Sequence, residues 1–283
     1  MTLEKAAEIL GLDSLRFIEP SFADQTATVF NTTLADYRMD EGRLLLDEKQ
    51  DPLALAFHGI DGWIVGSFLF RSPTSTLIER FEKTCGEILQ EERTVWAAAV
   101  REYFSRKLLM EAQPAIEDLN PARRGILTDL INGIWGKSSG KTCLDCCCGS
   151  GVGSLVLRDL GYSPISYDND ETLLVRGLTE GRLLPEETMW LDATIASRYI
   201  EPVPRGIAIM AGEINSFSQD MWKRIIEELF MNSAETLVTV GTKKEADHIQ
   251  EWGAAMDRKV EIQENPADPI YDLWVCVASQ HLS

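Results

Sequence analysis

The sequence predicts an α/β fold: a doubly wound, mostly parallel seven-stranded sheet with an antiparallel last strand, plus an N-terminal mainly helical region. Three observations predict it. Beyond residue 119, apolar segments of strand length alternate with segments of helical spacing, joined by short loops. The last two strand segments, 259–264 and 272–279, have only a loop between them and must run antiparallel to each other. The first 118 residues show mostly helical spacing with one candidate hairpin.

In chain order, the opening MTLEKAAEIL reads as the start of an amphipathic helix. ALAF (54–57) and WIVGSFLF (63–70) flank a Gly-containing turn and read as two short strands. A helix is expected from Thr74 to about Gln90, with Leu77, Ile78, Phe81 and Ile88 on one stripe, and a second over 93–111. Asn120-Pro121 is a helix start, an N-cap Asn followed by Pro at the first helical position. Strands are then expected at 142–147, 163–168, 189–193, 206–212 and 236–241, with helices at 153–160, 171–178, 218–230 and 244–256 between them. The domain division is placed at 118/119: residues 1–118 as a cap or substrate-recognition region, 119–283 as the cofactor-binding domain.

Composition narrows the function. The 283 residues carry 27 basic and 45 acidic side chains, a net charge of −18. Binding to a phosphate backbone depends on Lys and Arg displacing counterions, and no dense basic run exists, so nucleic acid is a disfavoured partner. The longest apolar run, 63–70, is far short of the ~20 residues of a membrane helix. No basic segment leads into an apolar block at the amino terminus, so no secretory signal is expected. The six cysteines include three in a row, 146–148, a poor disulfide framework, so a reducing, cytoplasmic setting is expected.

The chemistry is concentrated in TCLDCCCGSGVGS (142–154) and two later acids. Ligands of a doubly wound sheet sit off the carboxyl ends of its strands. Asp145, Asp168 and Asp192 fall at three such ends, about one strand–helix unit apart, and the glycine run follows the first of them. Glycines there permit a sharp turn and close backbone approach, and the next helix offers free N–H groups. A CxxC metal site at Cys143 and Cys146 is the rival reading. It needs a second ligand pair, and this pair lies in a predicted buried strand, so core cysteines and no metal are expected. His58, His248 and His281 are isolated in the sequence and read as surface or core residues.

LDCCCGSGVG resembles the first motif of class I S-adenosylmethionine-dependent methyltransferases, an acid followed by small residues ending Gly-x-Gly. The resemblance covers about residues 120–283 and implies S-adenosyl-L-methionine as cofactor. Asp145, Cys147, Cys148, Gly149 and Gly151 would then form the first-motif cradle. Asp168, with Asn169 beside it in SYDND, resembles the acid that binds both ribose hydroxyls. Asp192-Ala193 resembles the pair that meets the adenine amino group. AGEIN (211–215) sits where the family lines its transfer pocket, which makes Glu213 and Asn215 candidates for orienting the acceptor. One departure is Cys147, at a place where Gly or Ala commonly stands. A nicotinamide dehydrogenase would expect Gly in place of Ser154 and no acid at 145.

The expected function is methyl transfer from S-adenosyl-L-methionine to a small molecule or a protein side chain. The segment after the fourth strand has neither an Asn/Asp-Pro-Pro-aromatic sequence nor Pro-Cys, which argues against two styles of base methylation. An RNA methyltransferase, or an inactive methyltransferase fold kept as an interaction protein, stays open as an alternative.

Overall fold

The computed structural model describes residues 4–37, 40–117 and 119–280, and the chain divides into two compact units between Lys107 and Leu108. The first unit holds α1 (Lys5–Ile9), β1 (Arg16–Phe17), α2 (Val29–Ala35), β2 (Glu41–Leu46), β3 (Pro52–Gly59), β4 (Gly62–Ser67), α3 (Ser75–Lys83) and β5 (Glu87–Gln90), and α4 (Arg93–Glu111) begins in it. Its strands form one sheet in the order β1-β4-β3-β2-β5. Leu34 and Leu77 from the helices pack on Leu55, Phe57 and Ile64 of the sheet. Arg71, buried, donates to Asn31, to the Gln25 carbonyl and to Glu19, so no charge is left uncompensated there.

The hairpin at β3 and β4 agrees with the sequence, but a five-stranded sheet stands where mainly helix was expected. The long helix expected from Thr74 stops at Lys83, because Cys85 takes a left-handed conformation. Gly86 then passes so close to the Gly42 carbonyl that a Cβ would lie 2.2 Å from it. Residues 87–90 therefore pair with β2 as β5 and leave Ile88 exposed. Strands of two to six residues such as β1, β2 and β5 are too short for periodicity to reveal.

The second unit carries the sheet that was expected. Its elements are α5 (Arg123–Trp135), β6 (Thr142–Cys146), α6 (Val152–Asp159), β7 (Ser163–Asp168), α7 (Glu171–Thr179), β8 (Thr188–Trp190), β9 (Val203–Ala208), α8 (Gln219–Asn232), β10 (Ser233–Val240), α9 (Lys243–Ala255), β11 (Arg258–Glu264) and β12 (Trp274–Gln280). The strand order is β11-β12-β10-β9-β6-β7-β8, with β12 antiparallel to both of its neighbours. Leu127 and Ile131 of α5 and Val156 and Leu157 of α6 bury one face against Cys143, Ile207, Leu237 and Val275. On the other face Leu229 of α8 packs onto Gly206, where a Cβ would meet it at 2.8 Å. Both faces being covered, the central strands are buried almost throughout.

The winding reverses between β6 and β9, adjacent strands whose chains leave in opposite directions along the sheet. Two strands end earlier than expected. β8 stops at Trp190, because Asp192 accepts from Thr194 N and opens a 3-10 turn at Ala193–Arg198. β9 stops at Ala208, because Met210 turns left-handed and its N–H reaches Thr239 Oγ1 at 2.7 Å. α5 likewise begins at Arg123, after a turn in which Asn120 Oδ1 accepts from Ala122 N. Among the described residues, no helix is long and apolar enough to cross a membrane.

Candidate functional site

A cavity of about 540 Å³ lies at this switch point. Its floor is the end of β6 and the turn after it, including Asp145, Cys147, Cys148 and Gly149, and one wall is the segment 208–212 at and beyond the end of β9. Asp168, at the end of β7, closes one end, and residues 267–271, in the loop entering β12, close the other. Glu117, Leu119, Asn120 and Arg123 contribute from the segment before α5 and from its first turn. A volume in the ~300–1,000 Å³ range suits a small-molecule ligand.

The β6 turn is built around Asp145. Its side chain shares a sheet face with Cys143 two residues earlier, the face covered by α5 and α6. It accepts from the Ser154 hydroxyl at 2.6 Å, and Ser154 in turn contacts Ser166 Oγ at 2.6 Å. Gly153 lets α6 come this close, since a Cβ there would lie 2.8 Å from Asp145 Oδ2. Burial pushes the Asp145 carboxyl up to about 7; the bonds from Ser154 pull it down, and the nearby Asp168 charge adds to the rise. Cys147 sits left-handed at φ +53°, which explains why glycine suits this position.

Asp168 is 8% exposed and accepts one backbone N–H on each oxygen, from Gly149 and from Asp170, both at 2.8 Å. Burial still raises it above the usual carboxylate range. A carboxylate has about four lone-pair sites, so each oxygen keeps an acceptor position. Asp145, Cys147, Cys148, Gly149 and Asp168 thus come together around one cavity.

Other expected residues lie outside the cavity lining. Gly151 turns at φ +82° and packs under Leu183, where a Cβ would meet it at 2.5 Å. Asn169 is exposed, and its carbonyl accepts from Trp190 Nε1 at 3.0 Å. Asp192 is exposed, with one carboxylate oxygen on Thr194 N, and Ala193 is buried behind it. Glu213 and Asn215 are exposed, and the Asn215 side chain accepts from Phe217 N. All six cysteines are free. Cys143 and Cys146, three residues apart on β6, face opposite sides of the sheet. Burial holds the Cys143 and Cys148 thiols well above their usual range. Cys147 is held up in the same direction by the adjacent Cys146 thiol and by burial. His58 lies against Trp63 and His248 against Trp252, away from the cavity, and His281 lies outside the described residues.

No family model matches the sequence, and no curated protein matches it. Solved structures similar to it include methyltransferases. Magnesium protoporphyrin IX methyltransferase from Synechocystis, with bound SAM, is 12% identical over 65% of this chain and 97% of its own, with a TM-score of 0.47. A ribosomal protein L11 methylase from Lactobacillus delbrueckii subsp. bulgaricus is 12% identical over 60% and 91%, with a TM-score of 0.44. A TehB-like SAM-dependent methyltransferase from Corynebacterium glutamicum is 17% identical over 62% and 93%, with a TM-score of 0.42. Independently of these, the second unit's sheet has seven strands with only the last, β12, reversed, as the sequence led one to expect.

Several lining residues escaped the sequence reading. Arg123, in the first turn of α5, bonds Asp272 at 2.9 Å and Asp268 at 3.2 Å. Asp272, fully buried, also accepts from Thr239 Oγ1 at 2.6 Å. Thr239 holds the Met210 and Ala211 N–H groups, so an unbroken set of polar contacts runs from Arg123 to the wall after β9. Burial raises the Asp272 carboxyl, while Thr239 and Arg123 oppose the rise. Glu117 ties the β6 turn from above, through the Ser150 hydroxyl and Arg182, whose Nε donates to the Ser150 carbonyl. The only sequence signal for the far end was DPIYD (268–272), a turn-rich acidic stretch before the last strand.

Proposed function

We propose that the chain is a methyltransferase that uses S-adenosyl-L-methionine. The observation that carries this reading is the cavity at the switch between β6 and β9, which unites Asp145, Cys147–Gly149 and Asp168. The fit is chemical. Asp168 keeps acceptor positions for a ribose diol, while its backbone partners fix its orientation. Asp145, with Asp168 near it and no cation bonded to it, offers a negative site for an ammonium group. Cys147, Cys148 and Gly149 let backbone rather than bulky side chains face the ligand. Asn169 and the Asp192-Ala193 pair are assigned to the adenine end by the sequence resemblance, and one Asp192 oxygen is left over from its bond to Thr194.

When bound, the cofactor supplies a methyl group activated by a sulfonium leaving group. The chain then has to position the acceptor and exclude water. Ile209 and Met210 form an apolar wall for that purpose, held by Thr239 and Asp272. Glu213 and Asn215, directly beyond the lining residues Ala211 and Gly212, are proposed to orient the acceptor, a small molecule or a protein side chain. Six unpaired cysteines suit a reducing, cytoplasmic setting.

Calorimetric titration with S-adenosylmethionine and S-adenosylhomocysteine tests the reading. Saturable binding with an upward shift of Tm is expected. No heat and no stabilisation at saturating ligand would leave a fold kept for interaction alone. Alanine at Glu213 and Asn215 is expected to slow transfer with cofactor still bound. Unchanged turnover would remove both from the acceptor site.

A further inference from the structure

We infer that the methyl acceptor is a small amine with a flat apolar body, held at the end of the cavity away from Asp168. The inference rests on the methyltransferase reading, because that reading assigns the Asp168 end to the cofactor.

The cavity runs along the carboxyl edge of the sheet from β7 past β6 and β9 toward β10 and the loop entering β12. At ~4.8 Å per strand, β7 and β10 are about 14 Å apart, so the two ends are distinct places. The far end is apolar and open. Met210, Ile270 and Tyr271 line it and are 50%, 68% and 48% exposed, and Trp222 of α8 joins them half-buried. Large apolar side chains left exposed on two separate segments, with a half-buried Trp from a third element beside them, and lining one cavity mark a binding surface. Two of the four are aromatic, which favours a flat partner.

Charge selects among flat partners. Among the described residues, four carboxylate residues, Glu117, Asp145, Asp168 and Asp268, line the cavity against one basic residue, Arg123. At the far end Arg123 is shared between Asp268 and Asp272, so this buried group holds two carboxylates to one guanidinium. The Asp272 side chain has no exposed surface and those of Asp268 and Arg123 are 10% and 12% exposed, so salt screens the imbalance weakly. A cleft of one sign concentrates ligands of the other sign and repels its own. A protonated amine is attracted, and a carboxylate or phosphate is repelled. The Tyr271 ring already lies 5.7 Å from the Arg123 guanidinium, so its face accepts a cation. The transfer balances simply. The ammonium first loses one proton to water, and the nitrogen lone pair then forms the N–C bond. The C–S bond breaks with its electrons on sulfur, leaving a methylated ammonium and S-adenosylhomocysteine.

The test is calorimetry on the full chain saturated with S-adenosylhomocysteine, titrated in turn with phenethylamine, phenylacetate and adenosine monophosphate. Phenethylamine is expected to bind at least about ten-fold more tightly than either anion. Asp268→Asn is expected to erase that preference, and Tyr271→Ala to weaken phenethylamine, each with S-adenosylhomocysteine still bound. If S-adenosylhomocysteine itself does not bind the wild-type protein, the methyltransferase reading fails. If it binds but phenethylamine does not, or either anion binds as well, the amine inference is overturned while the methyltransferase reading stands. Retention of the preference in Asp268→Asn also overturns it.

Discussion

The carboxyl ends of β7 and β8 each carry an aspartate, Asp168 as the last residue of its strand and Asp192 two residues beyond its own, and the two are treated differently. Asp168 is buried, lines the cavity and receives N–H groups from the β6 turn and from its own loop. Asp192 is exposed, lies outside the cavity lining and spends one oxygen on starting a 3-10 turn. The difference lies in what each meets. Gly149, in the turn after the neighbouring strand β6, donates to Asp168 at the edge of the cavity, whereas the bond from Thr194 to Asp192 is local. Even spacing of acids along a βα chain therefore finds strand ends, and only the neighbouring strand's turn decides which end faces the cavity.

The largest effect expected is at Asp168. Asp168→Ala removes a charged acceptor from a buried place, and loss of such bonds costs about 1.5–3 kcal/mol, so S-adenosylhomocysteine affinity should fall about 10- to 100-fold. Asp192→Ala should change affinity by less than about three-fold, with about 1 kcal/mol lost in stability through the missing cap. Calorimetry and thermal melting read both. Equal losses of affinity in the two variants would break the comparison.

Asp145 sharpens it through pH. Its carboxyl, raised to about 7, holds a proton in the folded chain that the unfolded chain has released above an ordinary value of 3.8. Stability is therefore present below about 4, is lost as pH rises toward 7, and stays lost above it. Binding of a cation beside Asp145 favours the ionised form, so cofactor affinity should fall about ten-fold per pH unit below 7. Asp145→Asn should flatten both profiles, in melting and in calorimetry. A wild-type affinity that does not change between pH 5.5 and 8 would remove Asp145 from contact with the ligand's charge.

Much of this was legible in the sequence, and the reason is local. SPISYD and the glycine turn after β6 announce themselves by period and composition, and β7 spans the residues expected for it. The far end of the cavity was not legible, because its parts are distant in sequence. Arg123 meets Asp268 across 145 positions, and Met210 meets Thr239 across 29. No spacing rule spans such gaps. The end of β9 was misplaced for the same reason, since the turn at Met210 is held by a hydroxyl on β10.

That contact makes the next prediction. Thr239→Val keeps the shape but removes the acceptor of the Met210 N–H and one donor to Asp272. Leaving such groups unpaired costs about 1–3 kcal/mol, read as a lower Tm and faster hydrogen exchange at Met210. Thr239→Ser should restore both. If Thr239→Ser behaves like Thr239→Val, the methyl group's packing rather than the hydroxyl holds the wall.

The smallest effect concerns Cys147. At φ +53° a residue with a Cβ is strained by about 1–2 kcal/mol relative to glycine. Glycine in exchange has more freedom to lose on folding, by roughly 0.5–1 kcal/mol. Cys147→Gly should therefore stabilise by no more than about 1.5 kcal/mol and leave S-adenosylhomocysteine affinity within about two-fold. Cys147→Val should do the opposite, because a β-branched side chain fits a left-handed position worst and would bring bulk to the cavity floor. Melting and calorimetry on the pair separate two roles for the thiol. If glycine costs affinity, the sulfur touches the ligand. If only valine does, Cys147 is there because it is small, and the turn it sits in is shaped by the same requirement that Gly149 and Asp168 meet from either side.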